Sequence, residues 1–354
     1  MIRDRLGEGK IPHRILGSLI SRLTAPGKEV LIGPAVGEDA FAVAVGRVAG
    51  QGAGVGRAAL IGTTDPVTFT TEHIGYYAVN VNANDVATMG ARPCWFLATV
   101  LVPRGLGAPT LRGIFDEMDR TCVALGARLL GGHTEVTSAV SRPVVVGAML
   151  GLAARKRLVR ADRARAGDIL LLTKRLAIEG TSIIARERKR EVESLLGRAG
   201  AARARNLLFK PGISIVREAL AVSAAAPVNA MHDPTEGGLA WGLKELALAT
   251  GLGVEIDFEA IPIYEETTKI CDRFGINPLG LISSGSLMIA AAPRHAPRVE
   301  REIKSLGIEC ARIGRLGGRS VRMKRGGRLA RLPDFRADEI GKVLAGAFVG
   351  RRSR

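Results

Sequence analysis

Five times along the chain, a strand-length apolar run sits beside a glycine or another small residue, a carboxylate, and a Thr or Asn. The stretches are GPAVGEDAFAV (33–43), IGTTDPVTF (61–69), VNVNANDVATMGARP (79–93), LLGGHTEVT (129–137) and MHDPTEGGLA (231–240). Short apolar runs bounded by turn chemistry read as buried strands. Between them lie helical patterns, such as TLRGIFDEMDRTCVALGA with apolar Leu111, Ile114, Phe115, Met118, Cys122 and Leu125 at helical spacing. Strands alternating with helices specify an α/β chain. Taken singly, an Asp after a strand is a helix N-cap or a turn residue. Five in order point instead to one site assembled from distant parts of the sequence.

The 354 residues suggest two domains. We expect an N-terminal α/β domain over 1–155, a second over 156–345, and a basic tail at 346–354. The boundary is placed in the basic stretch near Ala154–Arg165, after the strand-like RPVVVGAMLGLA and before the strand-like GDILLLTK. In the second half, AMHDPTEGGLAWGLKELALATG reads as strand, polar turn and helix, and GSLMIAAAP and CARIGRL read as strands. The glycine-rich GAGVGRAA (52–59) has no helix after it, so it reads as a hairpin loop rather than a dinucleotide-binding turn.

The net charge of +17 raises nucleic-acid binding as a reading. The basic clusters are dispersed, however, and aromatic residues make up 4% of the chain, which disfavours a base-stacking surface. Solvated charged faces, with an anionic substrate or partner as the functional alternative, fit better. The four cysteines, Cys94, Cys122, Cys271 and Cys310, form no CxxC pair and read as buried free thiols. No apolar run is long enough to span a membrane and the first residues lack an apolar signal core, so a cytoplasmic protein is expected.

Asp39, Asp65, Asp85, Glu135 and Asp233 are carboxylates from separate segments, and the glycine pairs 131–132 and 237–238 allow close backbone approach to an anion. Mg²⁺ takes a few carboxylates together with substrate phosphates, so this composition suits a nucleotide–metal site. The polar turn ending in Gly237 opens a helix whose N-terminus suits an anion. His133 and His232 lie inside two of the motifs, where a hydrogen-bonded structural histidine and a phosphate or substrate contact are both open. In VNVNANDVATMGARP, Asn82 and Asp85 share a helical face with Met89, while Asn80 and Asn84 share a neighbouring one. The early polar residues read as a helix N-terminal segment, where a simple N-cap and a contact to metal or phosphate are both open.

The motifs NANDVATMGARP, GGHTEVT and MHDPTEGGLA, in this order, resemble the PurM superfamily, which includes AIR synthase, selenophosphate synthetase, thiamine-monophosphate kinase and the hydrogenase maturation protein HypE. They look most like the branch of HypE and the AIR synthase-related proteins. The resemblance implies a PurM-like two-domain α/β fold of α+β type, whose N-terminal domain forms a β-barrel across a homodimer. It implies ATP and Mg²⁺ as cofactors, and an enzyme that phosphorylates or dehydrates an amide- or acid-type acceptor, small or protein-bound. Metalloenzyme maturation proteins are the implied partners, without nucleic acid or membrane. Position by position, Asp39, Asp65, Asp85 and Asp233 match metal-binding residues. Gly131, Gly132, His133, Thr134 and Glu135 match the segment lining phosphates and acceptor, with His133 and Glu135 as the catalytic candidates, and Asn82, Asp85 and Gly237 match nucleotide contacts.

Two departures stand out. HypE carries a terminal cysteine, and this sequence has no cysteine after Cys310. HypE also carries Asn-Glu-Gly where this sequence has Ser283-Ser284-Gly285, so Ser284 replaces an acid. A nucleotide-binding scaffold without turnover and a kinase of the thiamine-monophosphate type are the alternative expectations.

Overall fold

The structure, a computed structural model, describes residues 10, 12–23, 27–48, 56–70 and 72–344. The basic tail and the 52–55 part of the glycine-rich loop lie outside the described residues, and the rest of that motif is strand. The first half runs α1 (His13–Ile20), β1 (Val30–Ile32), β2 (Phe41–Val48), β3 (Gly56–Val67), α2 (Ile74–Thr88), β4 (Arg92–Pro103), α3 (Ala108–Leu125), β5 (Arg128–Thr137) and β6 (Val144–Ala154). Its six strands form one sheet in the order β1-β2-β3-β6-β4-β5, antiparallel except for the parallel β4–β5 pair.

The second half runs β7 (Ile169–Thr173), α4 (Ile178–Glu187), α5 (Lys189–Asn206), α6 (Val216–Ala225), β8 (Ala230–His232), α7 (Gly238–Thr250), β9 (Val254–Asp257), α8 (Glu265–Phe274), β10 (Met288–Ala291), α9 (Ala296–Ser305), β11 (Cys310–Leu316), β12 (Val321–Arg325), β13 (Arg328–Arg331) and α10 (Ile340–Leu344). Its sheet has the order β13-β12-β9-β11-β7-β10-β8. The chain is therefore a two-domain α/β protein with two mixed, mostly antiparallel sheets. Among the described residues no helix is long and apolar enough to cross a membrane. All four cysteines are free; Cys122 and Cys271 are buried, while Cys94 and Cys310 are half-buried.

Alternating burial along β6 gives the first sheet one core face, and α2 packs across β3 and β6 on that face with α3 beside it. Every residue of α2 except Tyr76 and Val81 is buried. The helix begins at Ile74, so the asparagines do not open it as the sequence suggested; they lie in its interior, and Asp85 lies in its last turn. Weak helix formers misled the boundary because tertiary bonds offset their propensity. Asn82 accepts from the Asp65 backbone N–H at 2.9 Å and donates to Ala78 O at 2.9 Å. Gly147 of β6 makes room for it: a Cβ there would collide with Asn82 Nδ2. Asn80 donates to Tyr76 O.

Asn84 binds the other half of the chain. Its Nδ2 donates to Ile213 O and its Oδ1 accepts from Ile215 N, both at 2.9 Å, just before α6. Replacing it with Ala would leave two buried backbone groups unpaired. We expect Asn84→Ala to lower the unfolding free energy by roughly 2–5 kcal/mol, read from denaturant unfolding followed by circular dichroism.

Candidate active site

The two halves meet at a buried acidic cluster. Asp39 comes from the turn before β2, Asp65 from β3, Asp85 from α2 and Asp233 from the turn after β8. Thr63 Oγ1 donates to Asp85 Oδ2 at 2.9 Å and lies 3.1 Å from Asp39 O, tying these two residues together. Asp65 and Asp85 interact directly, and burial raises both carboxyls above the usual carboxylate range. Burial and then the Asp65, Asp233 and Asp39 charges hold the Asp85 carboxyl far above the usual carboxylate range. Burial and the Asp39 charge likewise push Asp233 up to about 8. Both oxygens of Asp233 are buried without a hydrogen-bond partner.

A second set of residues holds this cluster. His232 is buried with Nδ1 at 2.6 Å from Asp39 Oδ1 and Nε2 at 3.2 Å from Glu245 Oε2. Burial alone would lower its pKa, but the two carboxylates outweigh that and keep it cationic. Glu245 also takes Lys10 Nζ at 3.1 Å, with His13 Nε2 3.4 Å away, and the Lys10 and His232 charges help hold it ionised against burial. Lys10 Nζ lies 3.2 Å from Thr235 Oγ1, and its backbone N–H donates to Glu236. Both ring nitrogens of His232 are thus taken by protein carboxylates, and its contact with Asp39 also orients that residue.

The structure brings together Asp39, Asp65, Asp85, Asp233 and Asn82 from among the expected residues. It does not bring Gly131, Gly132, His133, Thr134 and Glu135 to them. These lie on β5, the sheet edge separated from β3 by β6 and β4, with the His133 and Glu135 side chains 70% and 53% exposed. The Gly237 N–H, expected to face an anion, donates to Asp338 Oδ2 at 2.6 Å. Gly237 and Gly238 both have positive φ, and a Cβ at Gly237 would strike Trp241. Sequence reasoning missed Lys10, His13 and Glu245, whose residue types are common on solvated faces and carried no motif.

Among the described residues, no group of three His, Cys, Asp or Glu side chains is placed to hold a metal ion by itself. The donor set nevertheless fits Mg²⁺, which keeps several waters and needs one or two carboxylates beside substrate phosphates. Asp233, with two unpartnered oxygens, and the neighbouring Asp65 and Asp85 carboxyls are groups that a divalent cation would satisfy.

Residues 36–153 match the family described as AIR synthase related protein, N-terminal domain, and residues 165–324 match the C-terminal domain of the same family. The carbamoyl dehydratase HypE of Azotobacter vinelandii is 30% identical over 262 residues, covering 70% of this chain and 71% of that protein. The crystal structure of E. coli HypE, a hydrogenase maturation protein, superposes with a TM-score of 0.70 at 26% identity, over 80% of this chain and 88% of that one. A hydrogenase maturation protein HypE in complex with ATP gives a TM-score of 0.68 at 22% identity, over 80% and 87% of the two chains, a likeness of fold.

The raised carboxyls have a cost in the ligand-free protein. Between its unfolded value near 3.8 and its folded value of about 8, Asp233 holds a proton that the unfolded chain has lost. Stability from this group therefore falls as pH rises through that window. Asp233→Asn should raise the melting temperature of the ligand-free protein by a few degrees at pH 8, with the gain vanishing near pH 4, as followed by differential scanning calorimetry.

Proposed function

The chain belongs to the AIR synthase related family of the PurM superfamily, and on that premise we propose that it is an ATP- and Mg²⁺-dependent enzyme that phosphorylates or dehydrates a carboxamide- or acid-type acceptor in metalloenzyme maturation. The observation that carries this reading is the convergence of four carboxylates from four separated segments, with both Asp233 oxygens free of protein partners. A surplus of desolvated negative charge is destabilising unless a cation completes it.

Asp39, Asp65, Asp85 and Asp233 would hold Mg²⁺. When bound, the ion would supply charge neutralisation at the transferring phosphoryl group. The chain's own residues do the orienting. Cationic His232, held by Asp39 and Glu245, fixes the Asp39 carboxylate. Asn82 fixes the backbone of Asp65, and Lys10 fixes Thr235 beside Asp233. The acceptor's oxygen would take the γ-phosphoryl group and ADP would leave; loss of phosphate from an activated carboxamide completes a dehydration.

The protein acts as a homodimer in this reading. β5 is an edge strand with Leu130 and Val136 more than half exposed, an apolar pairing edge of the kind monomers avoid. Pairing through β5 would let a second copy offer Gly131, Gly132, His133, Thr134 and Glu135 to the carboxylates across the interface.

ADP formation is assayed with Mg·ATP and either a carbamoylated cysteine peptide or thiamine monophosphate. We expect turnover with the carbamoylated peptide, falling by about 100-fold or more in Asp85→Ala with the dimer retained by light scattering. Near-normal turnover in that variant contradicts the metal assignment. ATP binding without ADP formation favours a scaffold, and turnover with thiamine monophosphate alone favours the kinase.

A further inference from the structure

Residues 319–331 hold six cations, Arg319, Arg322, Lys324, Arg325, Arg328 and Arg331, and no acid. Most of this stretch is the hairpin of β12 and β13, at the opposite edge of the seven-stranded sheet from β8 and Asp233. Every residue of β13 is exposed. The pairing sets Arg322 directly opposite Arg331, and Arg325 opposite Arg328. Like charges in that relation destabilise a sheet.

The first pair belongs to a row across the sheet. Arg331 of β13, Arg322 of β12, Glu255 of β9 and Arg315 of β11 stand side by side in register. Glu255 is the one acid of the row, with Oε1 at 3.8 Å from Arg315 Nη2. Among the described residues, no carboxylate comes within ion-pair distance of Arg319, Arg322 or Arg331. Arg322 Nε donates to Ser320 Oγ at 3.2 Å. The row borders two open depressions of about 390 and 620 Å³, which share Ser320 and Arg322. Arg315 and Arg319 line the first, and Arg331 lines the second. Val321, Ala330 and Leu332 alternate with the arginines along the two strands and give the second depression an apolar part.

Charged side chains on an edge strand discourage unwanted pairing. That role needs no cation on β12, which lies between β13 and β9. The Arg322–Arg331 opposition therefore costs stability without serving the fold, and an anionic occupant would relieve it. As the terminal strand, β13 also presents a row of backbone N–H and C=O groups that another strand can pair with and a nucleic acid cannot.

We propose that β13 docks an extended acidic segment of a partner protein, which adds to the sheet as a further strand. Carboxylates at alternate positions of that segment meet Arg331 and Arg322, and the apolar side chains between them meet Ala330 and Leu332. The inference goes beyond the ATP-dependent reading and does not rest on it.

The test follows the fluorescence anisotropy of a labelled (Glu-Val)4 peptide titrated with the full chain. The same peptide N-methylated at every residue, and octauridylate as a nucleic-acid probe, are titrated alongside. The Glu-Val peptide should bind, and more weakly as salt is raised. Arg331→Glu places a carboxylate opposite Arg322. It should weaken peptide binding by about tenfold yet raise the melting temperature by about a degree or more in calorimetry. The N-methylated peptide, which cannot donate to β13, should also bind about tenfold more weakly. A Glu-Val peptide that does not bind overturns the proposal, as does full affinity in Arg331→Glu or for the N-methylated peptide. Tighter binding of octauridylate than of the peptide would make this edge a nucleic-acid surface and overturn it. A melting temperature lowered by Arg331→Glu would make the opposed arginines structural, with the same result.

Discussion

Mutual repulsion among Asp39, Asp65, Asp85 and Asp233 is the constraint around which both halves of the chain are arranged. Burial first, and then the neighbouring charges, keep protons on Asp85 and Asp233 at neutral pH. Such a cluster would relax apart unless rigid elements held it. β3, α2, the turn before β2 and the turn after β8 each contribute one acid. The Asn82 clamp, the Thr63 bridge and the Lys10–Glu245–His232–Asp39 chain keep them in place. Asn84 binds the α2 scaffold to the second half of the chain at Ile213 and Ile215.

The polar content of α2 follows from this arrangement. A helix buried almost all round has no solvent face for amides, so each of its asparagines holds a backbone group instead. This is also where sequence reading went astray: Asn and Asp favour helix starts, and nothing local reveals that a helix begins six residues earlier. The apolar runs of β3, β4, β6, β7, β10 and β11 were legible because period and composition are local properties. The four clustered aspartates were legible because they recur in motifs. Lys10, His13 and Glu245 were not, since ordinary residue types acquire a role only through a long-range ion pair.

The GGHTE segment shows a different limit. Its motif points to the phosphate site, but within one chain β5 forms the far edge of the first sheet, two strands away from β3. In the proposed arrangement a second copy, paired through this apolar edge, closes that distance. The thiols stand apart from it: burial pushes Cys122, Cys271 and Cys310 up to about 12, leaving them protonated and unreactive near neutral pH.

The central claim is that the protonated acid cluster is a metal–phosphate site awaiting its cation. Calorimetric titration with ATP at pH 7, with and without Mg²⁺ and in two buffers of different ionisation enthalpy, tests it directly. Metal ligation requires deprotonated carboxylates. Binding should therefore require Mg²⁺ and release at least one proton, a release that Asp233→Asn reduces. ATP binding that is independent of Mg²⁺ and proton-neutral would contradict the account.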